Sequence, residues 1–199
     1  MHMQNLVRDH IQRSIDVKKL LLATDTEKIA NAGAAMAGLL QKGGKILTCG
    51  NGGSAGDAQH IATELLIRYR AKPERPSLPA ISLVGDAAAV TAAGNDFGFD
   101  SIFSRQIEGL GRAGDGLLAI STSGNSPNVL KALQAARSQK MTTFLLTGGN
   151  GGKILRDSAS LVDHYVSIPT EETARIQECH IMVGQIFCAI IEKELYGFD

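Results

Sequence analysis

The chain has 199 residues, 44% of them apolar and 20% charged, with no tryptophan. That length supports one domain with a full hydrophobic core, plus a helical extension. Basic and acidic residues balance at 20 each, so no face is marked for nucleic acid or an anionic membrane.

The start, "MHMQNLVRDHIQRSID", is charged and does not read as a signal peptide; no later apolar run approaches a membrane span. Residues 3–22 and 26–42 place apolar residues at helical spacing, Leu6, Ile11, Ile15 and Leu20 and then Ile29, Met36 and Leu40. Thr24 or Asp25 caps the second helix, and "KGG" at 42–44 ends it. Short apolar strands then alternate with helices. "KILTCG" (45–50) precedes a helix over 53–69, and "PAISLV" (79–84) precedes one starting near Asp86. "GLLAIS" (116–121) leads to a helix over 126–139, and "TTFLLTG" (142–148) to a shorter helical stretch. "HYVSIP" (164–169) leads to a last helix over 171–195, whose Ile176, Ile181, Ile186, Ile190 and Leu195 read as its core face. The three cysteines, Cys49, Cys179 and Cys188, lack CxxC spacing and read as free, mostly buried thiols of a reducing cytoplasm.

This alternation predicts a five-stranded parallel sheet covered on both faces, a three-layer α/β/α fold. Residues 1–199 form one domain, with 1–43 as an N-terminal helical extension and 44–199 as the α/β core. The two N-terminal helices add apolar surface beyond the needs of such a core. Burial between subunits is the expected outcome, with a helical lid on the same chain as the alternative.

Ligands in such sheets bind beyond the carboxyl ends of the strands. There "STSGNSPN" (121–128) gathers Ser121, Thr122, Ser123, Asn125 and Ser126 between a strand and a helix. Ser126 suits the N-cap and Pro127 the first helical position. A helix opening with free N–H groups and nearby hydroxyls suits a phosphate dianion, and Gly124 permits close backbone approach. With no lysine or arginine in the loop, the expected ligand is one phosphate held by neutral donors. The second loop, "CGNGGSAGDAQH" (49–60), superficially fits a dinucleotide fingerprint from Gly50 to Ala55. The acidic residue that fingerprint requires about 20 positions on is missing, because the next strand ends near Asp86.

The stretches "GKILTCGNGGSAGDAQHIATELLIRYR", "GNDFGFDSIFSRQIEGLG", "LLAISTSGNSPNVLKAL", "LTGGNGGK" and "ARIQECHI" occur in order over nearly the whole chain. Together they resemble the phosphoheptose isomerases of the sugar-isomerase (SIS), flavodoxin-like fold. The resemblance implies a cytoplasmic homotetramer that converts sedoheptulose 7-phosphate to D-glycero-D-manno-heptose 7-phosphate, the first step of bacterial heptose biosynthesis for lipopolysaccharide or other glycoconjugates. It assigns substrate binding to Asn51, Gly52, Gly53, Asn95, Asp96, Ser121, Thr122, Ser123, Ser126 and Gln177. It also assigns one zinc ion per subunit to His60, Glu64 and Gln177 together with the residue at position 185.

Such an isomerase needs a base, a group that polarises the carbonyl, and an anchor for the far end of the sugar. His60 and Glu64, four apart on one helix, face the same way above the glycine loop. The pair can grip a metal or divide into ligand and base; Glu64 is the candidate base. Asp57 is placed to orient the imidazole, and Arg68 to pair with Glu64, reach the sugar or simply face solvent. Members of the family usually carry histidine, a ligand and proposed acid/base, where this chain has Gln185. Glutamine ligates only weakly and cannot exchange a proton near neutral pH, so weakened zinc affinity and slow isomerisation are expected. His180 matches a histidine that is not a ligand, and reads as structural.

Gln185 admits two accounts: a natural change with altered or lost catalysis, or a near-isosteric replacement that stalls turnover while substrate stays bound. Two other readings stand beside the isomerase. One is a non-catalytic SIS-fold phosphosugar-binding regulator resembling the protein that associates with the DnaA initiator, which Gln185 favours mildly and Glu64 opposes. The other is an isomerase for a different phosphosugar, since the phosphate loop reads only one end of a ligand.

Overall fold

The computed structural model describes residues 2–198. Two helices open the chain, α1 (His2–Thr24) and α2 (Thr26–Gln41), and five strand-led units follow. These are β1 (Ile46–Gly50) with α3 (Gly53–Leu66), and β2 (Ala80–Ser82) with α4 (Ala87–Phe97) and α5 (Ser104–Leu110). Next come β3 (Gly116–Ser121) with α6 (Pro127–Ser138), and β4 (Thr142–Gly148) with α7 (Gly152–Asp157). The chain closes with β5 (His164–Ile168) and α8 (Thr173–Tyr196). All pairings are parallel, in the order β2-β1-β3-β4-β5, which is the flavodoxin-like arrangement.

The register sorts the strand side chains into two cores. Leu118, Phe144 and Val166 join one layer with α2, α3 and α8. Leu47, Leu117, Ala119 and Leu145 join the other with residues of α4, α5 and α6. Every residue of β1 and β3 is buried, as a sheet covered on both faces requires. Thr48 is the polar exception on β1, and its hydroxyl donates to the Ala58 carbonyl at 2.8 Å, seating α3 on the sheet.

Several boundaries differ from expectation for local reasons. The helix expected over 53–69 stops at Leu66, because the returning chain takes its last carbonyls: Arg75 binds those of Glu64 and Leu65, and Ser77 that of Leu66. The strand expected over 79–84 keeps regular pairing only at 80–82, since a turn brings the Gly85 N–H onto the Ser82 carbonyl. Helix α5 and a 3₁₀ turn at Phe99–Ser101 were not expected. Asp25 occupies the N-cap of α2, but its carboxylate binds Lys28 and Thr24 instead of the helix N–H groups.

On α8 the core face is rotated from the expected one. The buried stripe is Ile176, Cys179, His180, Val183, Phe187 and Ile191, whereas Ile181, Ile186, Ile190 and Leu195 are only partly buried. On α1 only Val17 and Leu21 are buried; Leu6, Ile11, Ile15 and Leu20 are exposed in the single chain. All three cysteines are free and buried.

Candidate active site

β3 delivers Ser121 to the carboxyl edge of the sheet, and residues 122–126 carry the chain into α6. Ser126 holds the N-cap position with Pro127 in the first turn, yet its hydroxyl does not cap the helix. It lies 3.0 Å from the Ser121 hydroxyl instead. The first N–H groups of α6 are therefore not taken by its own cap side chain. The loop is stiffened from within and from the side. Asn125 donates from Nδ2 to the Ser123 carbonyl at 2.9 Å, and its Oδ1 accepts the Lys153 backbone N–H at 2.9 Å. Gly124 sits at φ +62, and a Cβ there would run into the backbone of Gly151 in the β4–α7 turn. Only glycine satisfies both conditions.

One strand over, β1 delivers Asn51 and Gly52. Gly52 takes φ +56 as the N-cap of α3, so the helix turns upward immediately after the strand. The two loops touch through a reciprocal amide pair. Asn51 Nδ2 donates to Asn128 Oδ1 and Asn128 Nδ2 donates to Asn51 Oδ1, each at 2.8 Å. Asn128, in the first turn of α6, is a site residue that nothing in the sequence marks beyond its place in 121–128.

Two turns into α3, His60 Nε2 and Glu64 Oε1 are 2.7 Å apart, with the carboxylate side chain 20% exposed and the imidazole 45% exposed. The last turn of α3 is anchored by Arg75, whose side chain is 1% exposed. Its Nη2 donates to the Glu64 carbonyl at 2.6 Å and its Nε to Glu192 of α8 at 2.7 Å. From α8, the Gln177 amide lies so close to Gly53 that a Cβ on that glycine would collide with it. Gly184 packs against Ile61 in the same way, and Gln185 follows it, partly buried, on the helix that faces α3. Gln177 thus meets the glycine loop at the start of α3, the His60–Glu64 pair lies further along the same helix, and Asn51 ties the glycine loop to the hydroxyl loop.

Residues 9–148 match the SIS domain family. The chain is 48% identical over 192 residues to a protein from Chlorobaculum parvum named phosphoheptose isomerase, across 96% of this chain and 90% of that one. The chain belongs to the phosphoheptose isomerase family. Solved members share the fold. The phosphoheptose isomerase GmhA from Neisseria gonorrhoeae matches with a TM-score of 0.87 at 42% identity, covering 96% of this chain and 99% of that one. A phosphoheptose isomerase from Francisella tularensis matches with a TM-score of 0.91 at 38% identity, covering 97% and 100%.

Within this phosphoheptose isomerase framework the remaining predicted residues are distributed unevenly. Asn95 and Asp96 lie in the last turn of α4, exposed and bonded to each other at 2.7 Å. Arg68 lies past the end of α3, exposed, and no ion pair joins it to Glu64. Asp57 leaves Oδ2 buried without a partner, and the imidazole is held by Glu64 rather than by it. Burial raises the Asp57 carboxyl above its ordinary range, an effect that the nearby His60 partly offsets. His180 is fully buried, with Nε2 2.9 Å from the Thr147 carbonyl, and desolvation lowers its pKa to about 4. It is a neutral, structural histidine, as its position implied.

The donor set for a metal is mixed. Among the described residues no three His, Cys, Asp or Glu side chains come together. His60 and Glu64 are the donor types zinc prefers, whereas Gln177 and Gln185 offer only neutral amide oxygens. This set fits a weakly held cation.

Proposed function

We propose that this chain interconverts sedoheptulose 7-phosphate and D-glycero-D-manno-heptose 7-phosphate through an enediolate, in the cytoplasm and as a homotetramer that buries the exposed face of α1. The observation that carries the reading is the direct tie between the hydroxyl loop and the glycine loop beneath His60 and Glu64. One loop suits a phosphoryl group, and the helix that rises from the other carries the carboxylate assigned to the carbonyl end of the sugar. The relatives' shared name supplies the substrate class.

In this scheme Ser121, Thr122, Ser123 and Ser126, with the first N–H groups of α6, hold the phosphoryl end. Asn51, Gly52, Gly53 and Gln177 surround the reacting carbons, and Asn95 and Asp96 contact the sugar only if a neighbouring element or subunit brings it to them. Glu64 takes the proton from the carbon beside the carbonyl and returns it to the neighbouring carbon. His60, whose Nε2 lies 2.7 Å from Glu64 Oε1, keeps that carboxylate aimed. The Gln177 and Gln185 amides donate hydrogen bonds to the enediolate oxygens. A zinc ion, held weakly by His60, Glu64 and the two amide oxygens, would supply Lewis-acid polarisation of those oxygens when bound. The reaction also moves a proton from one oxygen to the other. Gln185 cannot carry it, so turnover is slow. The product enters heptose units of lipopolysaccharide or another glycoconjugate.

Restoring histidine provides the test. Gln185→His is expected to raise isomerisation of sedoheptulose 7-phosphate at least tenfold and to increase bound zinc measured by metal analysis. Equal activity of the two proteins would show that residue 185 carries no proton. Gln185 also favours a second reading, a phosphosugar-binding regulator without catalysis. Tight sugar-phosphate binding with no turnover by either protein would establish that reading.

A further inference from the structure

Asn128 presents an unusual arrangement for a buried polar residue. It is 1% exposed, and its side-chain hydrogen bonds all go to one partner, the Asn51 side chain on the adjacent loop. Burying an amide is costly unless it is fully engaged, and an aliphatic side chain would fill the same space at lower cost. The arrangement therefore serves Asn51. In a reciprocal amide pair each partner gives one N–H and accepts at its carbonyl. Neither amide can turn over alone, because the bonded pair would then face oxygen to oxygen and nitrogen to nitrogen. Asn51, which is only partly buried, keeps a second N–H and a second lone pair outside the pair, in a fixed sense.

The pair also spans two functional loops. Asn51 follows β1 and Asn128 lies in the first turn of α6, two residues after Ser126, and β1 and β3 are adjacent in the sheet, with Gly50 opposite Ile120. We propose that Asn128 is a positioning residue that locks the Asn51 amide and the separation of the two loops, so that the crevice measures the length of a phosphosugar between its phosphoryl and carbonyl ends. This rests on the reading that the two loops hold opposite ends of one ligand. The ligand class is a ketose phosphate, and the property set by Asn128 is its chain length.

Calorimetric titration separates the two ends. Inorganic phosphate probes the hydroxyl loop alone, whereas fructose 6-phosphate and sedoheptulose 7-phosphate probe the full span. Asn128→Ala is expected to leave the Kd for inorganic phosphate within twofold while weakening sedoheptulose 7-phosphate about tenfold, and to erase the preference between six- and seven-carbon sugars. Asn128→Asp keeps the shape and one hydrogen bond but places two oxygens face to face, so it should lose the length preference equally while folding normally. Asn51→Ala combined with Asn128→Ala should be no worse than Asn51→Ala alone, because Asn128 acts through Asn51.

Equal losses for phosphate and sugar phosphate, additive losses in the double variant, or an unchanged length preference in folded Asn128→Asp would each overturn the proposal. If the unsubstituted protein itself does not bind sedoheptulose 7-phosphate more tightly than inorganic phosphate, the reading of the site falls, and this inference falls with it. A failure confined to the variants removes only the role of Asn128.

Discussion

The two regions of the candidate site are built from opposite materials. The end at β3 and β4 is neutral: hydroxyls, amides, glycine backbone and a histidine kept uncharged by burial. The end at α3 and α8 carries charge: Glu64 beside His60, with the buried Arg75–Glu192 pair beneath them. A phosphoryl group brings its own charge and needs only fixed donors, which work the same way at any pH where it is ionised. A carbon acid needs a group that takes up and gives back a proton. On the proposed function these two demands fall to separate elements, the hydroxyl loop and α3, and the uncharged Asn51–Asn128 amide pair links the hydroxyl loop to the glycine loop from which α3 rises.

The largest effect that should sharpen this contrast is at Arg75. Its guanidinium is almost fully buried, pairs with Glu192 and holds the Glu64 and Leu65 carbonyls. Arg75→Met leaves Glu192 buried with only Arg70, 3.6 Å away, and should cost about 3 to 5 kcal/mol in urea unfolding. Arg75→Met with Glu192→Met should recover part of that loss, because no buried charge then remains uncompensated. Equal stability of the single and double variants would mean that the pair contributes packing and not charge balance. Phosphate affinity should change little in any variant that still folds, since the neutral loop lies on other elements.

Next comes Glu64 itself. Glu64→Gln keeps the size and the contact with His60 but removes the proton acceptor. Isomerisation should fall by about 10² or more in the Gln185→His background, the range that a positioned base supplies. Phosphate binding should be unchanged, and retention of activity would remove Glu64 as the base.

How much of this was readable from residues alone follows the same division. The neutral end was legible, because its side chains lie within eight consecutive positions between a strand and a helix. The charged end was half legible. His60 and Glu64 are one helical turn apart, but Arg75 and Glu192 are 117 positions apart and meet only through the fold. The rotation of α8 has a similar cause. Its isoleucines are apolar on more than one face, and contact with α2 and α3 selects the stripe through Val183 and Phe187. Asn128 was overlooked because an asparagine in a helix's first turn ordinarily needs no tertiary explanation.

The smallest effect concerns the histidine beneath the neutral end. His180 donates from Nε2 to Thr147 near the end of β4, and its Nδ1 is buried without a partner. In the unfolded chain such an imidazole titrates at 6.5, and in the fold burial lowers this to about 4. Between those values the unfolded state binds the extra proton, so stability falls by about 1.4 kcal/mol for each pH unit of acidification. Above 6.5 the group adds no slope. His180→Gln keeps a donor for the Thr147 carbonyl and cannot titrate, so its urea midpoint should fall less steeply between pH 6.5 and 4. If the two slopes coincide, His180 is not held neutral, and the claim that the phosphoryl end is uncharged down to its supporting layer fails. If they differ while phosphate affinity near pH 7.5 stays the same, charge is kept from that end by burial beneath it as well as by the choice of residues within it.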